Sequence, residues 1–580
     1  MMHCTLIGDH SVLMDFSKSP NPLKDIHGIS MMLFDNKPPW ASEIIPGLDS
    51  LVIQLEYSGD KPELTRSLAI AELTQLAEKF QKQQAKKKSA ANIHRIQVCY
   101  HPDTSPDIKA IAKACNLTIE KVIHLHKSAT YTADILGFMP GFAYFSGLAP
   151  ELKLPRLPSP RAAVPKGSVA IAELQTAIYP RTTPGGWNLI GRSPNSLFDI
   201  QNHPPGLFMA GDQMKIDEIS LDEFNLLDQK NKSTEFIRQL ECQPGQASIE
   251  ITQVGTFSSI QDAPRKNLSH WAVGPGGACD LKSLQLANAL VGNAIDAAAI
   301  EMTSTGPSIL FHADTCIAWV GANCDAIING EHIPGNRPVW VPKGSSLKFS
   351  ALSPGFRAVL SLGGGLDLPS ILGRQGAHHS ADIGPKRLEK GDILFLKNAQ
   401  APLQSAFLRD LHTKHSLPSY PRWKISSPFI PSRSINLIHC LPGPHLPLLS
   451  IKDRELFWST TWTASSQSNR MGLRIQGDFK IKKGLPNIPS QAITFGTIQF
   501  PSSQEPIIML SEHQTTGGYP RLAEVIFSDQ VKLAQLKPGD KLQLRPISLG
   551  EADRLNLEAL KLHESTLNSI QMIIQGGQGT

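Results

Sequence analysis

The chain has 580 residues, which is too many for one hydrophobic core, because single domains usually hold about 100 to 200 residues. Charged residues make up 18% of the chain and the formal net charge is +5 with no basic block, so a nucleic-acid partner is not expected. No apolar run reaches the ~18 residues of a membrane span, and the N-terminal stretch is interrupted at Asp9, unlike a secretory signal. We therefore expect a cytoplasmic, multidomain protein that does not enter a membrane.

The cysteines and histidines give no metal-binding pattern. The 8 cysteines form no C-x-x-C pair and no zinc spacing with a histidine, so reduced, packed thiols are expected. His378 and His379 are adjacent, but no third ligand stands at metal-binding spacing from them. The sequence therefore predicts no metal site.

Helical periodicity is confined mainly to the first part of the chain. Apolar residues recur every three to four positions over 62–88, which predicts an amphipathic helix that closes an N-terminal α/β lobe. Shorter helices are predicted over 107–115 and 119–126. The chain then consists of short apolar runs cut by Pro and Gly, which is typical of a barrel or sandwich; examples are 169–172, 177–179 and 188–190.

Composition divides the chain into four folded units and two linkers. One further helix, 281–291, is predicted inside the third unit, and a polar tail ends the last. The expected units are the lobe 1–90, a first β-rich block 91–227, a linker 228–248, a second block 249–416, a Pro/Ser-rich linker 417–434 and a last block 435–580.

A short string occurs in both the first and the last β-rich block. Gln-Thr is followed by Tyr-Pro after two residues in 175–180 and after three residues in 514–520. This similarity favours repeated domains as a hypothesis, although two short strings also match by chance.

No standard phosphate loop, nucleophile elbow or metalloprotease helix occurs in the sequence. Instead, cations, amides and hydroxyls stand beside Gly- and Pro-rich turns. Exposed backbone amides in such turns bind anions, and an Arg side chain adds a bidentate fork for carboxylate or phosphate. The residues alone therefore indicate a small anionic or amide ligand.

Two features of the first block keep two interpretations open. The loop 137–144 carries three aromatic residues, which either wall a small planar ligand or pack together in a turn. His126 lies at the end of a predicted helix, where the helix dipole favours its protonated form; a structural hydrogen bond to a carbonyl is the alternative.

Residues from about 5 to 217, here called the B-like part, resemble the allophanate hydrolase subunit 1 family, also called KipI and associated with the B-type subunit of 5-oxoprolinase. The matching strings are 125–126, 137–142, 160–161, 164–169, 175–176, 178–180, 184–187 and 191–192. Residues from about 249 to 549, the C-like part, resemble the partner family, allophanate hydrolase subunit 2 or KipA, associated with the C-type subunit of 5-oxoprolinase. Its matching positions are 261–262, Arg265, 274–280, 286–288, 291–293, Glu301, 357–358, 364–367, 470–472 and 514–521.

The resemblance implies a mainly β protein with a small α/β N-terminal lobe and three cyclophilin-like β-barrel domains in tandem. It implies ATP-dependent opening of the lactam 5-oxoproline to glutamate, performed with a separate A-type subunit of the LamB/YcsF family. ATP, with Mg²⁺, is then the expected cofactor and biotin is not expected. The barrel that binds ATP, the exact lactam and the oligomeric state are left open.

The resemblance and the turns together nominate the site residues. We expect one pocket in the first barrel, formed by His126, Lys166, Gln175, Tyr179 and Arg192. Asp280 and Glu301 are expected to act in the middle barrel. The groups expected to bind ATP are Arg161, Gly185, Gly186, Arg470, Arg474, Gln514, Thr515 and Arg521.

Several positions depart from the family pattern. Glu173 and Ala177 stand where glycines are usual, Ala263 and Pro264 alter a D-x-G-R string, and Asn469 replaces an Asp. Because relatives of both halves also resemble an inhibitor of a sporulation sensor kinase and its antagonist, a regulatory binding protein of the KipI/KipA type, without turnover, is the alternative function. A urea carboxylase tail is a third, but this chain lacks room for a biotin carboxylase and a biotinyl segment.

Overall fold

The computed structural model describes residues 3–56, 61–84, 92–232, 246–412, 417–482 and 484–575. The architecture is mainly β, with an α/β lobe at the N-terminus, as expected. No helix in these ranges is long and apolar enough to cross a membrane.

The N-terminal lobe is a four-stranded antiparallel sheet covered by two helices. Its elements are β1 (His3–Ile7), β2 (Ser11–Asp15), α1 (Pro22–Asp35), β3 (Ala41–Pro46), β4 (Ser50–Leu55) and α2 (Pro62–Gln84). Helix α1 starts with Pro in its first turn and buries Ile26, Ile29 and Leu33, which share one helical face. Helix α2 confirms the predicted helix as far as residue 84, and 85–91 lie outside the described residues.

The first barrel follows the lobe. Its elements are β5 (Ile93–Val98), α3 (Ile108–Ala114), α4 (Ile119–Ser128), β6 (Tyr131–Leu136), β7 (Ala143–Ser146), β8 (Arg161–Val164), β9 (Ser168–Ala172), β10 (Gln175–Ile178), β11 (Thr183–Gly185), β12 (Asn188–Arg192), β13 (Gln213–Glu218) and α5 (Leu221–Lys232). Seven strands run in the order β12-β9-β10-β7-β6-β13-β5, and β8 pairs with β11 in a separate hairpin. Paired backbone hydrogen bonds of 2.8 and 2.9 Å between Cys99 and Arg192 join the two ends of the sheet.

Both faces of this sheet are covered. All five residues of β9 are buried, with Val169 and Ile171 in one apolar cluster and Ala170 and Ala172 in another. This division decides which side chains can meet, because successive strand residues point to opposite faces.

The middle block consists of two packed sheets. Its elements are β14 (Ser248–Gln253), β15 (Phe257–Gln261), α6 (Leu281–Leu290), β16 (Ala299–Thr303), β17 (Ser308–Phe311), β18 (Thr315–Gly321), β19 (Ala326–Ile328), β20 (Glu331–Ile333), β21 (Val339–Val341), β22 (Ser346–Phe349), β23 (Arg357–Leu362), β24 (Ile393–Phe395) and α7 (Ala406–His412). The strand orders are β20-β19-β22-β17-β14-β24 and β15-β16-β23-β18-β21.

The last block is a closed barrel followed by a long helix. Its elements are β25 (Ile435–Pro442), α8 (Ile451–Ser459), β26 (Thr461–Ala464), β27 (Gly472–Gln476), β28 (Gln491–Ala492), β29 (Thr497–Gln499), β30 (Ile507–Met509), β31 (Thr516–Gly517), β32 (Arg521–Val525), α9 (Gln530–Gln535), β33 (Lys541–Pro546) and α10 (Leu549–Gln575). The barrel order is β25-β32-β29-β30-β27-β26-β33.

The structure adds detail to both predicted linkers and to the predicted polar tail. Helix α5 extends to Lys232 and occupies the start of the predicted linker, while 233–245 lie outside the described residues. The predicted linker 417–434 packs on the middle block, where Ser419 and Trp340 exchange backbone hydrogen bonds of 2.8 and 3.0 Å. The Gly- and Gln-rich end of the predicted polar tail, 576–580, lies outside the described residues, while Ile570 and Ile574 of α10 before it are buried against the middle block.

The lobe packs on the last barrel, so the two ends of the chain meet. Arg66 of α2 and Asp553 of α10 form a buried ion pair with an N–O distance of 2.5 Å. The backbone N–H of Leu48 donates to the carbonyl of Ser490 at 2.9 Å. The B-like and C-like parts of the sequence therefore form one continuous body.

Candidate functional site

An aromatic face covers one side of the first barrel, under the β8–β11 hairpin. We define the aromatic face as Phe138, Phe142, Tyr144, Tyr179 and Trp187, whose rings contact one another with centroid distances of 4.9 to 6.3 Å. Phe142, Tyr179 and Trp187 are buried, whereas Phe138 is 38% exposed. The aromatic residues of the loop therefore pack together, and one of them, Phe138, also leaves part of its ring exposed to solvent.

Charged and polar groups border the aromatic face. The guanidinium of Arg156 lies 5.9 Å from the ring centroid of Trp187, a cation–π distance. Burial raises the pKa of Tyr144 to about 12, although Arg156 opposes this shift, so the phenol stays protonated at neutral pH. Beside it, Asp134 accepts a 2.6 Å hydrogen bond from Ser146 and another from Gln175, and burial raises the pKa of this carboxyl.

His126 lies on the opposite face of the sheet from Gln175 and Tyr179. Its ring contacts Tyr100 and Tyr131, and its Nδ1 and Nε2 lie 2.7 and 3.1 Å from the hydroxyls of Tyr100 and Thr176. Burial lowers its pKa to about 3, so the ring is neutral, contrary to the protonated form favoured by the helix-dipole argument. The expected five-residue pocket is therefore not formed.

The other predicted groups of the first barrel are tied to their neighbours. Arg192 donates from Nε to the carbonyl of Lys166 at 2.8 Å and stacks over Phe224. Arg161 pairs with Asp107 at 2.6 Å. Gly185 lies under the Tyr179 hydroxyl, since a Cβ there would stand 2.5 Å from it, and Gly186 accepts a backbone bond from Leu157 at 2.7 Å.

The loop that carries Phe138 and Phe142 also joins the first barrel to the other blocks. The N–H of Gly141 donates to the carbonyl of Trp271 in the middle block at 3.2 Å. A Cβ on Gly137 would clash with the Thr516 hydroxyl of the last barrel, so only glycine permits this close approach. The aromatic face therefore ends where all three β-rich blocks meet.

Arg470 holds the middle block and the last barrel together. It donates to Glu512 at 2.6 Å, to the carbonyl of Gly277 at 2.5 Å and to Glu301. Burial alone would raise the pKa of Glu512, but Arg470 outweighs it and lowers that pKa to about 2. Both carboxylates and the guanidinium are at most 7% exposed, so Arg470 is a buried interface residue.

Asp280 and Glu301 support the same interface. Asp280 caps helix α6 by accepting from the N–H of Ser283 at 2.9 Å, and it also accepts from Gln535 of the last barrel at 2.7 Å. Glu301 accepts from the N–H of Cys279 at 2.7 Å. The predicted middle-barrel pair thus lies at an interface between blocks.

The remaining predicted residues of the last barrel do not form one pocket. Arg474 is half-buried on β27, whereas Arg521 is 2% exposed and donates to the carbonyl of Ala492 at 2.9 Å. Thr515 is buried with its hydroxyl unpaired, and the half-buried Gln514 lies against Gly517. The groups expected to hold ATP are therefore spread over several places.

Sequence reasoning missed several polar residues at the block junctions. No recognised catalytic motif contains Asp134, Arg181, His378 or Glu512. The Nε of Arg181 is buried and unpaired; burial lowers the pKa of its guanidinium, and Asp382 of the middle block opposes this shift. The only signal for Arg181 was its place directly after the Tyr-Pro string.

Comparison with known proteins matches both parts of the chain. A family model described as carboxyltransferase domain, subdomain C and D, matches residues 2–208, and one described as carboxyltransferase domain, subdomain A and B, matches residues 271–546. The B-type subunit of 5-oxoprolinase from Bacillus subtilis is 32% identical over 231 residues, 38% of this chain and 93% of that protein. The C-type subunit of 5-oxoprolinase from Haemophilus influenzae is 31% identical over 330 residues, 56% of this chain and 98% of that protein.

A longer relative and a solved structure extend the comparison. Urea amidolyase of Saccharomyces cerevisiae is 32% identical over 334 residues, 54% of this chain, and the chain spans only 17% of that protein's length. The crystal structure of TTHA0988 superimposes with a TM-score of 0.74 at 25% identity, over 94% of this chain and all of that one. On these matches, the chain belongs to the carboxyltransferase-domain family of allophanate hydrolase-type proteins, with a B-like half and a C-like half fused in one polypeptide.

Proposed function

We propose that this protein unites the B- and C-type subunits of an ATP-dependent 5-oxoprolinase, which opens 5-oxoproline to glutamate together with an A-type subunit of the LamB/YcsF family. The observation that carries the proposal is the contact of the loop around Gly137 with Trp271 and Thr516, which brings the aromatic face of the B-like half against the C-like half. Relatives of both halves are named as subunits of that one enzyme.

We place the lactam on the aromatic face. A five-membered lactam ring is small and flat, and the rings of Tyr144 and Phe138 offer it apolar contact beside the amide of Gln175. The exposed guanidinium of Arg156 supplies a partner for its carboxylate. Asp134 positions Gln175 through their hydrogen bond.

The groups predicted for ATP do not fit a single nucleotide site. Arg161 is paired with Asp107, Arg470 with two carboxylates, and Arg521 with backbone and amide oxygens. We therefore derive no step of the reaction through ATP and keep only the ATP requirement in the proposal.

The test mixes the purified chain with the LamB/YcsF-type protein from the same source and measures glutamate formed from 5-oxoproline, with and without ATP. We expect glutamate only when both proteins and ATP are present. Gln175→Ala should raise KM for 5-oxoproline roughly five- to tenfold by removing one hydrogen bond to the lactam. Gln201→Ala, which changes an exposed glutamine of the same barrel, is the matched control.

Two outcomes would reject parts of the proposal. Glutamate formed by the chain alone would contradict the division of labour between the two proteins. No glutamate from a mixture of well-folded proteins would favour the regulatory KipI/KipA-type function.

A further inference from the structure

A buried arginine of the middle block has two donor atoms without a hydrogen-bond partner. Arg265 is 2% exposed, and its Nη2 donates to the carbonyls of Gly376 and Ile371 at 2.7 and 3.4 Å. Its Nε and Nη1 have no partner, and it forms no ion pair with any carboxylate in the described part of the chain. Burying a guanidinium with two unsatisfied donor atoms is costly, and an added acceptor at these two atoms would offset that cost.

A second unpaired donor belongs to His378, which is 3% exposed. Its Nδ1 accepts the N–H of Ala381 at 3.2 Å, so the neutral ring carries its proton on Nε2. That Nε2 is buried without a partner. Burial lowers the pKa of His378 to about 4, which keeps the ring in this neutral form at pH 7.

Both donors face the same glycine turn, Gly274 to Gly277. A Cβ on Gly276 would stand 3.3 Å from Arg265 Nη1 and 3.0 Å from the His378 ring, and a Cβ on Gly274 would stand 2.9 Å from His378 Nε2. Gly276 also has a φ of +60°, which favours glycine. Because neither glycine carries a side chain, both donors approach this turn closely.

The neighbouring carboxylates of Asp262 and Glu512 favour the charged form of Arg265 but form no ion pair with it. Glu512 lies 3.9 Å from His378 Nδ1, on the other edge of the ring, and is already paired with Arg470 and Ser380. Asp262 influences Arg265 without an ion pair, and burial raises the pKa of its carboxyl. His379 and His513 also lie near this cluster, and burial lowers the pKa of each.

We propose that Arg265 Nη1 and His378 Nε2 form an oxyanion-binding site at the Gly274–Gly277 turn, which takes one oxygen of a carboxylate or a phosphoryl group. This site lies in the C-like half and is separate from the lactam site proposed on the aromatic face. It does not depend on 5-oxoprolinase activity, because binding alone reveals it.

The test uses isothermal titration of the full chain with inorganic phosphate and, separately, with 5-oxoproline. His378→Asn keeps an acceptor near Nδ1 for Ala381 but removes the Nε2 donor, whereas His378→Gln places an amide donor near Nε2. We expect His378→Asn to weaken binding at this site roughly tenfold and His378→Gln to keep it within about threefold. If His378 acts only through Nδ1, His378→Asn should be more thermally stable than His378→Gln, and the two variants should bind each probe equally well.

A matched control and a measurement on the unmodified protein complete the design. Arg374→Gln, at a half-buried arginine of the same loop that pairs with Asp296, should bind as the wild type does. In wild-type protein labelled with ¹⁵N in its histidines, the NMR signal of His378 Nε2 should shift when the probe that binds, phosphate or 5-oxoproline, is added. The probe whose affinity falls in His378→Asn identifies the source of the oxygen; saturable binding of neither probe, or equal binding by His378→Asn and wild type, would overturn the site.

Discussion

Tyr179, in the repeated string of the first barrel, is 2% exposed, whereas Tyr519, in the equivalent string of the last barrel, is 38% exposed. The first string forms β10 inside a seven-stranded sheet, so its tyrosine packs under the β8–β11 hairpin. In the last barrel only Thr516–Gly517 form a strand, and it pairs with the two residues of β28. The same short sequence thus contributes a wall of the aromatic face in one barrel and an exposed turn in the other.

The arginines that follow these strings show the opposite pattern. Arg181 is half-buried at the junction with the middle block, whereas Arg521 is 2% exposed and bonds to Gln491 and Ala492. The two strings therefore share residue types but neither strand pairing nor burial. The environment depends on the neighbour that each barrel meets.

The largest expected effect concerns the charged interface of the C-like half, which contrasts with the neutral aromatic face. Arg470→Ala leaves Glu301 and Glu512 buried without their cation, so we expect unfolding to become easier by about 3 to 5 kcal/mol. Urea unfolding measures this change, and Arg474→Ala, at a half-buried arginine, should change stability by about 0.5 kcal/mol at most. Equal stabilities of the two variants would show that the buried pairs do not hold the interface.

The loss of stability on replacing Arg521 or Arg181, the arginines that follow the two strings, is expected to be smaller than that for Arg470. Arg521→Ala removes two hydrogen bonds from a buried site beside Glu524, and we expect a loss of about 2 to 3 kcal/mol. Arg181→Ala should cost about 1 kcal/mol or less, since this residue is half-buried. Thermal unfolding of both variants measures these losses of stability. A larger loss for Arg181→Ala than for Arg521→Ala would contradict the prediction.

The neutral interior of the first barrel should appear in the pH dependence of stability. His126 has a folded pKa of about 3 against 6.5 when unfolded, so between these values the unfolded chain binds the extra proton. Stability therefore falls as pH drops below about 6.5, with up to ~1.4 kcal/mol per pH unit from this residue. His126→Gln should show a flatter stability curve between pH 6 and 4; an unchanged slope would mean that His126 is charged in the fold.

The smallest effect concerns the turn that leads into the first motif. Glu173 is exposed and has a φ of +51°, a backbone conformation in which a side chain is strained. Glu173→Gly should stabilise the chain by about 0.5 to 1 kcal/mol, after the entropy cost of glycine is subtracted. Glu151→Gly, at an exposed site outside the left-handed region, should give no gain, and an equal gain would remove strain as the explanation.

The departures from the family pattern have different structural consequences. Asn469 accepts the N–H groups of Met471 and Gly472 at 2.9 and 3.3 Å, a role that an aspartate performs equally well. Ala177 is buried within the apolar cluster under the hairpin. Neither substitution disturbs the local fold, whereas Glu173 introduces local strain.

Much of the local structure was predictable. The helices over 108–114, 119–128 and 281–290 and the strands around 169–172 and 188–190 follow from periodicity, because backbone geometry repeats over a few residues. Helix α10 was not predicted, because its apolar residues are spaced among many polar ones and are buried only by packing against the middle block. The family was also recognisable, because its motifs are contiguous strings.

The candidate site was less predictable, because a residue type does not reveal what faces it. Arg192 donates to the backbone carbonyl of Lys166, whereas His126 lies on the other face of the same sheet from Gln175. Sequence spacing alone did not separate these positions. Arg470 was expected to bind ATP, yet it is paired with Glu301, which stands 169 residues away in the sequence.

The β-rich architecture, several helices and membership of the family follow from the amino-acid sequence, because these depend on local periodicity and on short contiguous motifs. The packed fold was needed to show that His126 is neutral, that Arg470 is an interface residue and that Arg265 and His378 direct unpaired donors at one glycine turn. Charge state and hydrogen-bond satisfaction depend on burial and on partners brought from distant parts of the chain, and those are properties of the packed blocks.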